Sequence, residues 1–582
     1  MNFILFLVTA LMVCAHTLPA AESMVLGGTN HEPAPALVNL EKMIDVQGTH
    51  LIVPVANGKD GKPFAKDAPN FVVLGVYEGS NLVQSFTVSL PGVGDPSWLA
   101  AYPIGNYGLA GKTIKLSTVG SKAPESLRMA FERIKIGSAS DALSPSDYSQ
   151  PYRNQFHAST RRGWNNDPNG MVFHGGKYHL YYQYNPFGIF WGNMHWGHLE
   201  STDLVHWEEK PIAIAQKLVE GGIWSGGGFV DVNDTAGLGE GTLFVAYTSQ
   251  GGENIAYSRD GGLTFTPIPE NPVVKHRGRD PKIIWFAPEL KWVMAVYCIE
   301  PCPETQAVPI TVEDKRGGPG SHIAFYESKN LREWTRTGAF TDGDRKAVFE
   351  CPELFELPIA GKPGESRWIL LGAENRYFIG QFDGKTFVKE SGPLGTDHGA
   401  FYAAQTFSNE PNGRRVQIGW VRTNAYLKQF PDQIVNQAFT LPHELTLRET
   451  ADGLRMFFSP VKETEKLRGE VLAEGKNLTV AQANDLLQKC GGELSEVVIE
   501  FSESAARQLV INGMDAGFSG RSARIFTDRT FNEVYADDGI SYELRKAPVE
   551  GFPSSYTKLT APEGAVVTSL KVYRLKTIWN NN

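Results

Sequence analysis

Three acidic residues, far apart in the chain, stand in similar local settings. Asp167 lies in "WNNDPNG" (164–170), Asp280 in "GRDPK" (278–282) and Glu350 in "VFECPE" (348–353), each beside an apolar, strand-like run. Two more such runs are headed by "IWSGGG" (223–228) and "HGAFYAA" (398–404). If these five heads meet, three carboxyl groups share one pocket and repel one another. At least one must then keep its proton to a higher pH than a free acid does. An ionised carboxylate and a protonated acid placed across one bond are what glycoside hydrolysis requires. Trp164 would give such a pocket an apolar wall, and Asn165, Asn166 and Asn169 would hold the local backbone or bind hydroxyls. Sugars present apolar faces and hydroxyl edges, so aromatic walls with a few carboxylates and amides suit them. Phe187, Trp191, Trp196, Trp224 and Phe401 are the other candidate aromatics.

Each element also has a plainer reading. Asp-Pro-Asn-Gly is by composition a turn. Glu353 competes with Glu350. His195 and His198 read as hydrogen-bonded packing rather than metal ligands. Lys275, His276 and Arg277 read as a solvated turn, whereas Arg279 adjoins an acid. The acids outweigh these readings because they recur at equivalent positions of a repeat.

That repeat is what would bring the heads together. A cassette of Ser or an equivalent, Asp or Asn, and then an aromatic occurs in "ESTDLVHWEE", "YSRDGGLTFT", "ESKNLREWTR" and "GQFDGKTFVK", with its aromatics at Trp207, Phe265, Trp334 and Phe387. These intervals suit one four-stranded blade each. Five apolar runs ("KYHLYYQYN", "GTLFVAYTS", "KWVMAVYCI", "RWILLGAEN" and "RRVQIGWVR") each follow a further strand-like segment. The pattern predicts an all-β protein with a five-bladed β-propeller over 148–448, whose innermost strands begin near a common axis. Apolar runs without clean alternation fit strands buried on both faces.

Alternating runs such as "FVVLGVY" and "GKTIKLSTV" predict an additional N-terminal β domain over 24–146, in which Trp98 and Tyr102 read as packing before sugar contacts. Short strands from "SEVVIEFS" to "ISYELRKA" predict a C-terminal β-sandwich over 461–580, linked through "ETADGLRMFFSP" near 449–460. Residues 1–22 read as an export signal, short of a membrane span, and place the protein outside the cytoplasm, in the periplasm or beyond the cell. Five cysteines in 582 residues are too few for a disulfide scaffold. No Cys/His cluster has metal-ligand spacing. A formal net charge of -9 without a basic block excludes nucleic acid as a partner.

The ordered motifs "WNNDPNG", "YYQYNPFGIFWGNMHWGH", "STDLVHWE", "GRDPK", "ECPELFEL", "FYAAQTF", "RRVQIGW" and "LPHELTLR", with "DRTFNEVYADDG" near the C-terminus, resemble glycoside hydrolase family 32, the invertases, inulinases and levanases. The resemblance covers roughly 150–580 and implies a retaining reaction without a cofactor, on terminal fructosyl units of levan, inulin or sucrose. It implies Asp167 as nucleophile, Glu350 as acid/base and Asp280 as a transition-state stabiliser beside Arg279, with Asn166, Gln183, Trp191 and Ser225 contacting substrate; Trp164 and Trp224 join them as aromatic walls. Asn165, Gly227 and Ala400 depart from the family's usual Met, Ser and Asp. The alternatives are a fructosyltransferase using the same residues and a non-catalytic fructan-binding propeller.

Overall fold

The computed structural model describes residues 39–56, 70–119, 124–144, 147–216, 222–249, 251–299, 321–342, 347–395, 399–422, 433–489, 494–548 and 555–579. The expected export signal lies outside these residues. The described chain is predominantly β, and no helix in it is long and apolar enough to cross a membrane.

At the N-terminal end, Glu41–Asp45, Thr113–Val119, Phe71–Glu78 and Asn81–Ser89 pair in that order, leaving the last strand on an edge. A second sheet joins Trp98–Tyr102, His50–Val55 and Lys135–Gly137. The expected alternation is present: Val72, Leu74 and Val76 point inward from their strand. The helix Glu125–Glu132, unanticipated from sequence, buries Leu127, Ala130 and Phe131 at helical spacing. Trp98 and Tyr102 are buried in this core, so they pack.

Five sheets follow, each with a four-stranded antiparallel order. Their leading strands are Gly163–His174, Gly228–Asp231, Gly278–Phe286, Glu353–Pro358 and Phe401–Thr406; their second strands are Lys177–Asn185, Thr242–Ser249, Lys291–Cys298, Ser366–Leu371 and Val416–Val421. Lys291–Cys298 is buried at every position, which explains its lack of alternation. The cassettes form the turns before the fourth strands of the first four sheets. In each, the Asp or Asn carboxyl or amide oxygen accepts backbone N–H groups ahead of it. Asp203 takes Val205 and His206, Asp260 takes Thr264, Asn330 takes Arg332 and Glu333, and Asp383 takes Lys385 and Thr386. One local device thus closes four sheets.

Leading strands of successive sheets touch along the first four, and the fifth touches the first. Gly170 N–H donates to Gly226 O at 2.9 Å, and a Cβ on Gly228 would stand 2.3 Å from Gly170 O, so only glycine fits there. Lys282 of the third sheet, wholly buried, reaches Glu353 of the fourth at 2.8 Å and Thr406 O of the fifth at 3.0 Å. Val435–Asn436 returns to pair in parallel with Gly163–Trp164 of the first sheet. The segment near 449–460 is not a link. Gly453–Pro460 is the last strand of the fifth sheet, paired along its length with His443–Thr450.

The C-terminal sheet runs Arg468–Thr479, Val566–Leu575, Ser495–Ile511, Phe518–Thr527, Phe531–Ala536 and Ser541–Lys546. "SEVVIEFS" and "ARQLVING", expected as two strands, are one strand whose register shifts between Glu500 and Ala505. The "DRTFNEVYADDG" stretch joins this sheet to the chain ahead of the first sheet. Asp528 accepts the backbone N–H groups of Gln155 and Phe156 at 2.8 and 3.1 Å, and Glu533 accepts that of Leu441 at 2.8 Å. His157 lies between the two acids, 2.8 Å from Asp528 and 3.1 Å from Glu533, fully buried. Burial alone would lower its pKa, but the two carboxylates carry it up to about 9.

Because that pKa is raised on folding, the ion triad contributes fully below the ordinary histidine value of 6.5 and its contribution fades as pH rises through about 9. Replacing His157 by Gln is expected to cost roughly 3–5 kcal/mol by leaving two buried carboxylates uncompensated. Melting curves of wild type and His157→Gln should lie well apart at pH 6 and converge above about pH 9; a gap independent of pH would contradict the charged triad.

Candidate active site

The motif at 164–170 is not a turn. It lies inside the strand Gly163–His174, which keeps pairing with Lys177–Asn185 while its register shifts between Asn165 and Pro168 and again between Asn169 and Val172. Turn residues here make bulges, which bend a strand and re-aim a side chain without ending it. The third sheet shifts register between Arg279 and Lys282, and the fifth between Tyr402 and Gln405. Asp280, Glu350, Cys351 and Ala403 have positive φ of 67°, 54°, 40° and 49°. Such conformations cost about 1–3 kcal/mol each and persist where surrounding structure holds them.

These distortions gather the three acids. The buried Cys351 sulfur lies 3.9 Å from Asp167 Oδ2 and 3.6 Å from Asp280 Oδ2, and Cys351 N–H donates to Asp280 at 3.1 Å. The Arg279 guanidinium bonds Glu350 directly and has its Nε 3.7 Å from Asp280. Asp280 is buried, whereas Asp167 and Glu350 are partly open. Burial pushes the Asp167 carboxyl up to about 6, against the hydrogen bond donated by Ser225 at 2.6 Å and with help from the Glu350 charge. Burial pushes Asp280 up to about 7; Arg279 opposes this, while Glu350 and Asp167 add to it. The expected upward shift is therefore found at Asp167 and Asp280. Tyr402, held protonated by its burial and by Glu350, donates its hydroxyl to Glu350.

An aromatic wall runs from the first sheet to the fifth. Trp164 Nε1 donates to Asn166 at 2.9 Å, and its ring meets Trp420 edge-on at 6.1 Å; Trp420 in turn lies 6.0 Å from Tyr402. On another side Trp191 and Trp224 are 5.8 Å apart, with Trp224 38% exposed and next in sequence to Ser225. Gln183 lies opposite the bulge that carries Asn166 and Asp167, since Asn165 pairs with Tyr184 and Pro168 with Tyr182.

Several expected candidates belong elsewhere. Glu353 is engaged by Lys282 and by Thr406, so it does not compete with Glu350. Asn165 accepts from Thr160 N–H, and Asn169 from Gly226 N–H, so both oxygens hold backbone. Phe187, Trp196 and Phe401 are buried in cores. His276 is not solvated: its side chain is buried 2.6 Å from Glu253, and though burial lowers its pKa, hydrogen bonds with Cys298 and Glu253 carry it up to about 9. His198 packs against His179 at 3.1 Å, as hydrogen-bonded packing predicts. Among the described residues, His179, His198 and Glu200 have ligand-like spacing, but Lys177 and Lys210 pair with that carboxylate. Tyr402, Trp420 and Cys351 went unnoticed as site residues, although all three stand in the quoted motifs "FYAAQTF", "RRVQIGW" and "ECPELFEL".

Carboxyl groups gathered from the first and third sheets and from just ahead of the fourth, with raised pKa values at Asp167 and Asp280 and aromatic walls beside them, are the equipment that glycoside hydrolysis requires. The family profile described as "Glycosyl hydrolases family 32 N-terminal domain" matches residues 157–459, just over half the chain. The levanase of Bacillus subtilis (strain 168) is 37% identical over 470 residues, covering 73% of this chain and 65% of its own length. An extracellular exo-inulinase of Aspergillus niger is 28% identical over 481 residues, covering 71% of this chain and 86% of its own. The crystal structure of exo-inulinase from Aspergillus awamori shares the fold at a TM-score of 0.61 and 24% identity, over 74% of this chain and all of that one. The chain belongs to glycosyl hydrolase family 32.

A carboxyl whose pKa is raised on folding favours the folded state below its ordinary value of 3.8 and loses that advantage as pH climbs through its folded value, about 7 for Asp280. Asp280→Asn should therefore raise the melting temperature at pH 8, with the gain shrinking toward pH 5. Equal melting at pH 8 would show that Asp280 carries no such penalty.

Proposed function

We propose that the protein is an exported retaining β-fructosidase that releases terminal fructose from levan, inulin or sucrose. The five sheets over about 148–460 act as a five-bladed propeller, with a β-sandwich after it and the N-terminal β module before it. The observation that carries the reading is the unequal exposure of the three acids: Asp167 and Glu350 partly exposed, Asp280 buried beside them. Two reachable carboxyls backed by a third suit attack and protonation at one glycosidic bond.

In this reading Asp167 attacks the anomeric carbon while Glu350 protonates the leaving oxygen, and Glu350 then deprotonates the water that releases fructose. Tyr402 and Arg279 both donate to Glu350 and hold it in place. Asp280, with Arg279, orients hydroxyls of the fructosyl ring. Asn166, Gln183 and Ser225 complete the polar contacts, and Trp164, Trp191 and Trp224 the apolar ones. The names of the relatives, levanase and exo-inulinase, support fructan as substrate, and "extracellular" supports export.

Asp167→Asn or Glu350→Gln is expected to lower kcat at least roughly a thousandfold, and chromatography of wild-type digests of levan, inulin and sucrose should show free fructose from the first time point. Near-normal turnover in either variant would reject the roles, and oligofructose outweighing fructose at high sucrose would make the enzyme a transferase. Because the Ser225 hydrogen bond holds the Asp167 pKa down, Ser225→Ala should move the acid limb of kcat/KM to higher pH than in the wild type.

A further inference from the structure

The N-terminal sheets have no assigned task, yet they hold one segment of the first sheet from outside. Residues 186–193 leave the strand Lys177–Asn185 and pass along those sheets. Phe187 enters their core, fully buried and stacked on Phe86 at 3.9 Å with rings nearly parallel. The Asn193 amide treats the edge strand Asn81–Ser89 as a neighbouring strand would: its oxygen accepts Thr87 N–H and its nitrogen donates to Thr87 O, both at 2.9 Å. The same Asn193 nitrogen donates to Asn185 at 3.1 Å, which ties the outer grip to the end of the strand. A strand edge seeks such partners because its amides are otherwise unpaired.

Between these two anchors stands Trp191, against Trp224. Trp224 adjoins Ser225, the hydroxyl partner of Asp167. We infer that the N-terminal module is a positioning element for substrate, and that Asn193 and Phe187 fix the Trp191 ring against Trp224 to form the apolar face on which a fructan chain lies. This rests on the β-fructosidase reading above. Among the described residues the module reaches none of the three acids, so its effect falls on binding in ground and transition state alike, and therefore on KM.

The test is a cycle of Asn193→Ala, Trp191→Ala and the double variant, assayed on inulin and levan, with hydrogen exchange of residues 186–192 followed without substrate. Asn193→Ala should raise KM about tenfold, the worth of one aromatic contact, leave kcat within about twofold, and speed exchange across 186–192. In the double variant KM should match Trp191→Ala alone, because Asn193 acts through that ring. Fully additive KM effects, an unchanged KM in Asn193→Ala, or a fall in kcat without a change in KM would each overturn the inference. A wild-type enzyme inert on levan, inulin and sucrose would instead sink the fructosidase reading, and exchange unchanged by Asn193→Ala would sink the grip independently of any turnover.

Discussion

Crowding like charges into a low-dielectric space is unfavourable, and this protein does it with three carboxyl groups. Desolvation opposes the ionised forms of Asp167 and Asp280, and repulsion from their acidic neighbours adds to it. Arg279 offsets part of the repulsion by binding Glu350 and lying beside Asp280. The remainder is borne by the fold. Leading strands packed backbone to backbone at Gly170 and Gly228, and the buried Lys282 bridging three sheets, prevent the acids from relaxing apart. The strained backbone at Asp280, Glu350, Cys351 and Ala403 has the same origin, since a regular strand would aim alternate side chains into the sheet faces rather than toward a shared pocket.

The protein holds two kinds of buried charge. Lys282 with Glu353, and His157 with Asp528 and Glu533, are opposite charges in contact, and they tie sheets together. The acid cluster is the reverse: like charges held near one another, with Asp280 buried and Asp167 and Glu350 partly exposed. Glu350 and Glu353, three residues apart, fall on opposite sides of this division because one precedes the strand Glu353–Pro358 and the other begins it. Their different partners follow from that one step in position.

The repeat was legible from residues alone because its device is local. A Ser or equivalent, an Asp or Asn and an aromatic within ten residues close a turn by their own hydrogen bonds, and the same chemistry recurs ahead of the fourth strand in each of the first four sheets. The acid positions were legible because they occupy equivalent places in that repeat. The bulges were not, since Asp, Asn, Pro and Gly are the residues of turns and bulges alike, and the difference at 164–170 is made by the partner strand Lys177–Asn185. Trp420 and Tyr402 escaped notice for a related reason: both lie in the fifth sheet and reach the site only once it packs beside the first. The segment 453–460 read as a link because its pairing with 443–450 depends on a hairpin that composition does not distinguish from a connector.

The pairing of Val435–Asn436 with Gly163–Trp164 joins a late part of the sheet series to its beginning. Ribosomal synthesis proceeds from one end, so a growing chain exposes the strand bearing Trp164 and Asp167 for the whole time it takes to make the intervening residues. During that interval its open edge has no partner from its own far segment, and its pocket lacks Tyr402 and Trp420. The surroundings of the acid cluster are thus complete only once the fifth sheet has been made.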